Sequence, residues 1–304
     1  MQEKNSSLYV YKQNGPVPFI SNFPKNFRLF YENYLNYDNK TNLIGLTLIS
    51  AASIYWDEDL LLASQRLGKK LHISSEDKTK SYFTILGLDA RFPTDFSSGL
   101  YFIGDGWVHS TIALSFLGAG YSSSDQRAWS TGLQLIEGLL TTGFTTQVLK
   151  HLTGRESPFV RSQAGGVWRL FPDQIKYHKN VPKHDAFPSG HLATGTMTVV
   201  VIAENYPDYP YFIKPLGYTL LSLLSFQMMN NGVHWFGDYP LALALGYGFG
   251  QIAVHNARTS AEIHAEALRR RSPPGLTLCS VLPRIYPSVD KAGVAYGMDF
   301  HFLL

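Results

Sequence analysis

Apolar residues along the chain gather into long runs separated by short Gly, Pro, Ser and Asp clusters, and this spacing predicts helices near 42–56, 98–121, 128–151, 190–204, 213–231 and 236–256. Six apolar helices in succession predict an all-α, six-helix core bundle. The first two are separated by Asp57-Glu58-Asp59, an amphipathic run from Leu60 to Leu71 and a polar loop, an insert that predicts one short surface helix. Beyond Pro273 the pattern changes to Pro, Gly and aromatic residues. Val294, Tyr296, Met298, Phe300 and Phe302 alternate there, which predicts a short β-hairpin packed on the bundle, the alternative being an irregular tail with buried aromatics. The expected division is 1–95 as an N-terminal extension with the first core helix and insert, 96–257 as the core, and 258–304 as a tail packed on it.

Composition then narrows the setting. The chain has 304 residues, 45% of them hydrophobic and only 16% charged, while its mean hydropathy is −0.08. Those values lie between an ordinary soluble domain and a multi-span membrane protein. Several runs are shorter than the ~20 apolar residues of a spanning helix. Asp105, His109 and Glu137 fall within the second and third predicted helices, where they are acceptable only facing the bundle interior. The expectation is a membrane bundle with its polar residues turned inward, a soluble periplasmic form being the alternative. Arg258 and Arg269-Arg270-Arg271 follow the last helix and suit a cytoplasmic end, which would place the other helix ends on the extracytoplasmic face of the cell envelope. The region from Met1 to Asn42 is polar and aromatic and shows no secretory signal pattern. A net charge of +3 without a basic block excludes nucleic acid as an expected partner. The lone Cys279 offers neither a disulfide nor a cysteine metal site.

The chemistry lies at the helix ends. In Pro188-Ser189-Gly190-His191 the apolar run after the histidine begins a helix, so the amides of Ser189, Gly190 and His191 stand at its amino end, where free N–H groups and the helix dipole attract phosphate. The serine hydroxyl supplies another donor, glycine permits close approach of the anion, and His191 is placed to exchange protons. His234 and Asp238 are four apart and would share a helix face, the carboxylate holding one imidazole nitrogen and leaving the other free. Lys150 closes a long apolar helix, with Arg155 in the turn that follows it. Each feature alone has an ordinary structural reading, as a cap, a helix-end cation or a loop charge. Up-down topology would bring all of them to one face of the bundle. His184 and Asp185 read as a solvated loop, and Asp105 with His109 as a polar core pair on one helix face.

These residues resemble the motifs of the type 2 phosphatidic acid phosphatase family, which shares its core with vanadium haloperoxidases. The family pattern is similar to Lys-x6-Arg-Pro, Pro-Ser-Gly-His and Ser-Arg-x5-His-x3-Asp. Here Lys150 and Pro158, the complete Pro188–His191, and His234 with Asp238 match, over a resemblance covering roughly 96–256. Two family arginines are replaced, by Ser157 and Met228, with Gln227 in place of the preceding serine.

The resemblance implies a phosphoric ester hydrolase that needs no cofactor and no metal. It implies His234 as nucleophile forming a phosphohistidine, Asp238 orienting it, and His191 as acid and then base. Lys150, Arg155, Ser189 and Gly190 are expected to hold the phosphate, with Arg155 the first candidate to replace the lost arginines and Arg161, Lys183, Asn230 and Asn231 further ones. The implied substrate is a phosphomonoester or pyrophosphate, a phosphorylated lipid in a membrane or else a small phosphate ester. Two other readings are a vanadium-dependent haloperoxidase and a non-catalytic phospholipid-binding envelope protein.

Overall fold

The computed structural model describes residues 2–4, 7–11, 17–85, 88–260, 284–290 and 293–299. The chain divides into two compact units, residues 1–10 with 259–304 and residues 11–258. In the smaller unit β1 (Gln2–Lys4) and β2 (Ser7–Tyr11) form a sheet with β5 (Arg258–Ser260) in the order β1-β2-β5, and β6 (Arg284–Asp290) pairs antiparallel with β7 (Gly293–Asp299). The hairpin expected near 293–302 is therefore present up to Asp299, while Phe300 and Phe302, like Arg269 to Arg271, lie outside the described residues.

The larger unit is helical. Its α-helices are α1 (Pro18–Phe30), α2 (Lys40–Tyr55), α3 (Asp57–Lys70), α4 (Phe96–Phe102), α5 (Gly106–Ser123), α6 (Gln126–Thr153), α7 (Gln174–Lys179), α8 (Gly190–Asn205), α9 (Pro210–Asn230) and α10 (Tyr239–Ala257), with a hairpin of β3 (Thr79–Ile85) and β4 (Leu88–Pro93) between α3 and α4. The chain is thus all-α in class, with the six expected helices recognisable in α2, α4–α5, α6, α8, α9 and α10. The centre is α6, α8 and α10, whose backbones approach closely because glycines stand at the crossings. A Cβ on Gly246 would lie 2.3 Å from the Ala193 carbonyl oxygen, and one on Gly138 2.3 Å from the Met197 sulfur.

Three local expectations change. The predicted helix 98–121 is broken, because Gly104 packs where a Cβ would lie 2.6 Å from His191 Cβ, and Asp105 turns its carboxylate to cap the Trp107 amide at 2.8 Å. Asp105 is therefore a cap and shares no helix face with His109. The insert carries the expected surface helix, α3, with 14 residues of which Asp57, Leu61 and Gly68 are buried beneath it, and also a hairpin that was not expected. Helix α1 lay hidden in the polar, aromatic N-terminal region. It is held by edge-to-face contacts of Phe27 with Phe144 and Phe249, and its Asn22 and Asn26 donate to the buried Glu137 carboxylate at 2.8 and 2.9 Å. Asn256 donates to the same carboxylate at 2.7 Å, so this charge in α6 is held by three amides.

The outer helix faces are apolar. Leu48 on α2, Leu114 on α5 and Phe212 on α9 are 65%, 63% and 64% exposed. Among the described residues no helix is long and apolar enough to cross a membrane.

Candidate active site

The site is assembled where α6 ends, α8 begins and a 3-10 turn at Phe236–Asp238 leads into α10. Ser189 caps α8, its hydroxyl accepting from the Leu192 amide at 3.4 Å, while its own amide donates to the Asp238 carbonyl at 3.2 Å. These bonds tie the start of α8 to the start of α10. Lys150, in the last turn of α6, points at the same place, since a Cβ on Gly190 would lie 4.0 Å from its Nζ. The amino end of α8 and the Lys150 ammonium thus share one small volume, the arrangement suited to an oxyanion.

His234 and Asp238 meet, but not along an α-helix. His234 precedes the 3-10 turn, and Asp238 folds back so that its carboxylate accepts from the Trp235 amide at 2.8 Å and stands 3.3 Å from His234 Nδ1. The Ala186 carbonyl lies nearer to Nδ1, at 2.8 Å. With two oxygens at Nδ1, the proton belongs there, and Nε2 keeps its lone pair. The His191 and His234 rings are 6.4 Å apart between centroids, and the Tyr101 ring lies 4.9 Å from that of His191. Burial, then the charges of His234, Lys150 and His109, lower the His191 pKa to about 3, so its ring is neutral at ordinary pH.

Arg155 stands elsewhere than a phosphate ligand would. Its guanidinium is fully buried, donates to Asp238 Oδ1 at 2.5 Å, to Asp57 Oδ2 and to the Gly165 carbonyl at 3.1 Å, and lies 4.7 Å from the centre of the Trp168 ring. It supports the Asp238 carboxylate from behind. Asp57, first residue of α3, also accepts from the Gly237 amide at 2.7 Å, so it fixes both the arginine and the 3-10 turn. Neither role was visible in the sequence, where Asp57-Glu58-Asp59 looked like a helix separator.

Positions 157 and 228, where the family resemblance sets an expectation of arginine, are closed by packing. Met228 is fully buried with its sulfur 3.5 Å from Ser189 Oγ, and the Ser157 amide donates to the Pro182 carbonyl at 2.9 Å. Of the other candidate clamps, Arg161 reaches Glu58 at 3.3 Å, the Asn230 amide donates to the Ser74 carbonyl at 3.0 Å, Asn231 accepts from Gln227 at 2.5 Å while its buried Nδ2 has no partner, and Lys183 is exposed. The loop expected to be solvated is not. His184 is buried against Tyr177, and Asp185 reaches Lys150 Nζ at 3.3 Å. Among the described residues no group of three or more His, Cys, Asp or Glu side chains is placed to hold a metal ion.

Residues 131–261 match the PAP2 superfamily model. A solved structure described as the first transmembrane PAP2 type phosphatidylglycerolphosphate phosphatase from Bacillus subtilis is similar at 13% identity over 84% of this chain and 98% of that one, with a TM-score of 0.43. No curated protein matches.

Proposed function

We propose that this chain is a phosphatase that hydrolyses a phosphomonoester or pyrophosphate, carried by a lipid, through a phosphohistidine. The observation that carries the reading is the convergence of His191 and His234 at the amino end of α8, beside Lys150. His234 Nε2 attacks phosphorus in line, the bond to the leaving oxygen breaks, and His191 gives that oxygen its proton. Water then attacks the phosphohistidine, His191 takes its proton, the P–N bond breaks and inorganic phosphate leaves. A His191 that is neutral in the free site gains its proton when the phosphate anion arrives, because the added negative charge raises its pKa. Lys150, Ser189 and the Gly190 and His191 amides stabilise the equatorial oxygens. Arg155 holds Asp238 instead.

The apolar outer faces of α2, α5 and α9 support association with a bilayer of the cell envelope, where a lipid phosphate would be the substrate. The test is phosphate release from a purified chain, with His234→Asn as control and quenching in alkaline denaturant to trap labelled protein. The expected result is a label that is stable in base, labile in acid and absent from the variant. Equal turnover by wild type and variant would overturn the mechanism.

A further inference from the structure

The two histidines of the site are held in different ways. His234 has two oxygens at Nδ1, from the Ala186 carbonyl and the Asp238 carboxylate. Among the described residues the His191 ring makes ring contacts but no hydrogen bond. It stands in the first turn of α8, where its own helix has no preceding turn for the side chain to lie on, so its orientation depends on another element. That element is α4. The Tyr101 ring lies 4.9 Å from the His191 ring between centroids, with 34° between the planes. Gly104, just past the end of α4, lies against the base of the same side chain, where a Cβ would come within 2.6 Å of His191 Cβ and 3.0 Å of Cδ2. A ring confined by both contacts has few rotamers open to it.

Helix α4 is itself fixed. Asp95 caps it, accepting from the Ser98 amide at 2.8 Å, while the Ser74 amide donates to Ser97 Oγ at 2.8 Å and the Lys78 amide to Ser98 Oγ at 2.7 Å. Phe102 meets Phe92 of β4 with centroids 5.6 Å apart, and Tyr101 packs on the buried cluster that contains Leu61, Leu192 and Met228. The insert between α3 and α4 therefore braces the helix that carries Tyr101. Both lie outside residues 131–261, the segment that matches the family model.

We propose that Tyr101 is a positioning residue for proton transfer: its ring holds the His191 imidazole toward the leaving oxygen and supports the charge that the imidazole carries once protonated. The inference rests on the phosphatase reading and adds what orients its proton donor. A cation within about 6 Å of an aromatic centroid is attracted to the ring face, so the contact that fixes the neutral imidazole also favours its charged form. Burial, then the carboxylates of Asp77, Asp185 and Asp105, raise the Tyr101 pKa, so its hydroxyl keeps its proton. The support comes from the ring, which phenylalanine would also provide.

The experiment follows the first turnover, with the full chain in excess over substrate, for phenyl phosphate and dinitrophenyl phosphate. Phenolate is a strong base and needs a proton to leave, whereas dinitrophenolate leaves without one, so only the first substrate depends on the acid. Tyr101→Leu should slow phenol release roughly 10- to 100-fold, short of the whole contribution of a proton donor, and leave dinitrophenol release unchanged. Tyr101→Phe, which keeps the ring, recovers the phenyl phosphate rate. In a chain that already carries His191→Gln, Tyr101→Leu should cost nothing further, because the two act in one step. Tyr101→Met is the second variant should the leucine variant not fold. An equal loss on both substrates would mean that the site is distorted as a whole, and no loss on either, with the fold intact, that His191 is oriented by something else. Either result overturns the role of Tyr101 and leaves the phosphatase reading standing. A wild-type chain that releases neither phenol overturns both.

Discussion

Arg155 donates to Asp238 Oδ1 at 2.5 Å while Asp57 accepts from the other arm of the same guanidinium, so the carboxylate beside His234 shares its cation with a residue from outside the matched core. A buried cation between two carboxylates gives each only part of its charge. That division leaves Asp238 enough negative charge to stabilise a His234 imidazolium.

Asp57→Asn would return Arg155 wholly to Asp238 and weaken that support. A less well supported His234 is a weaker nucleophile. The expected outcome is a kcat lower by about ten-fold with KM little changed, the signature of an interaction made mainly in the transition state. Asp57→Glu should recover part of the loss. If kcat matches wild type while the fold is intact, Asp57 only fastens α3.

The Lys150–Asp185 pair predicts a competition. In the free site Lys150 Nζ is 3.3 Å from the Asp185 carboxylate, and an entering phosphate must displace or share it. The pair is partly exposed and worth about 0–1 kcal/mol. Asp185→Asn should therefore tighten inhibition by vanadate or inorganic phosphate by up to about five-fold, whereas Lys150→Ala should weaken it. A looser Ki in Asp185→Asn would show that the carboxylate orients Lys150 instead of competing for it.

The apolar runs foretold α2, α6, α8, α9 and α10 to within a few residues, because helices buried on one side and apolar on the other leave few alternatives. Helix α1 was not legible, since its apolar residues are aromatics dispersed among polar ones and its place depends on Glu137, more than 100 positions later. The break before α5 depended on Gly104 meeting His191. The His234–Asp238 pair could be read from spacing, but its setting could not. His234 and Asp238 meet across a 3-10 turn whose closure needs Asp57, and whether Arg155 faces a substrate or a carboxylate is decided by long-range partners that local sequence does not contain.

Acid should destabilise the free protein before its carboxylates titrate. The His191 pKa is lowered from 6.5 to about 3 and that of His109 from 6.5 to about 4. Between those values the unfolded chain binds protons that the folded chain refuses, so the stability from these groups is present above about 6.5 and is lost as pH falls toward 3–4. Glu156 also has a lowered pKa: burial raises it, but hydrogen bonds from Ser162, Val167 and Arg169 outweigh that, and its contribution is lost only below 4.5. Thermal unfolding from pH 7 to 5 should thus show a falling midpoint, shallower in His191→Gln. Parallel curves for the two proteins would mean that His191 is not held neutral.

Met228 offers a direct test of the proposed phosphate clamp, because its sulfur touches Ser189 Oγ at the amino end of α8. In Met228→Arg a guanidinium would enter beside Ser189 at the amino end of α8. One charge-assisted hydrogen bond to phosphate contributes about 1.5–3 kcal/mol, or roughly 10- to 150-fold in affinity. The same cation without phosphate is buried and unpaired, which costs several kcal/mol. The variant should accordingly be less stable than wild type in phosphate-free buffer, regain stability with added phosphate or vanadate, and bind vanadate more tightly. A variant that is destabilised to the same extent with and without the anion would show that position 228 faces the core alone, and that Lys150 and the α8 amides are the whole of the clamp.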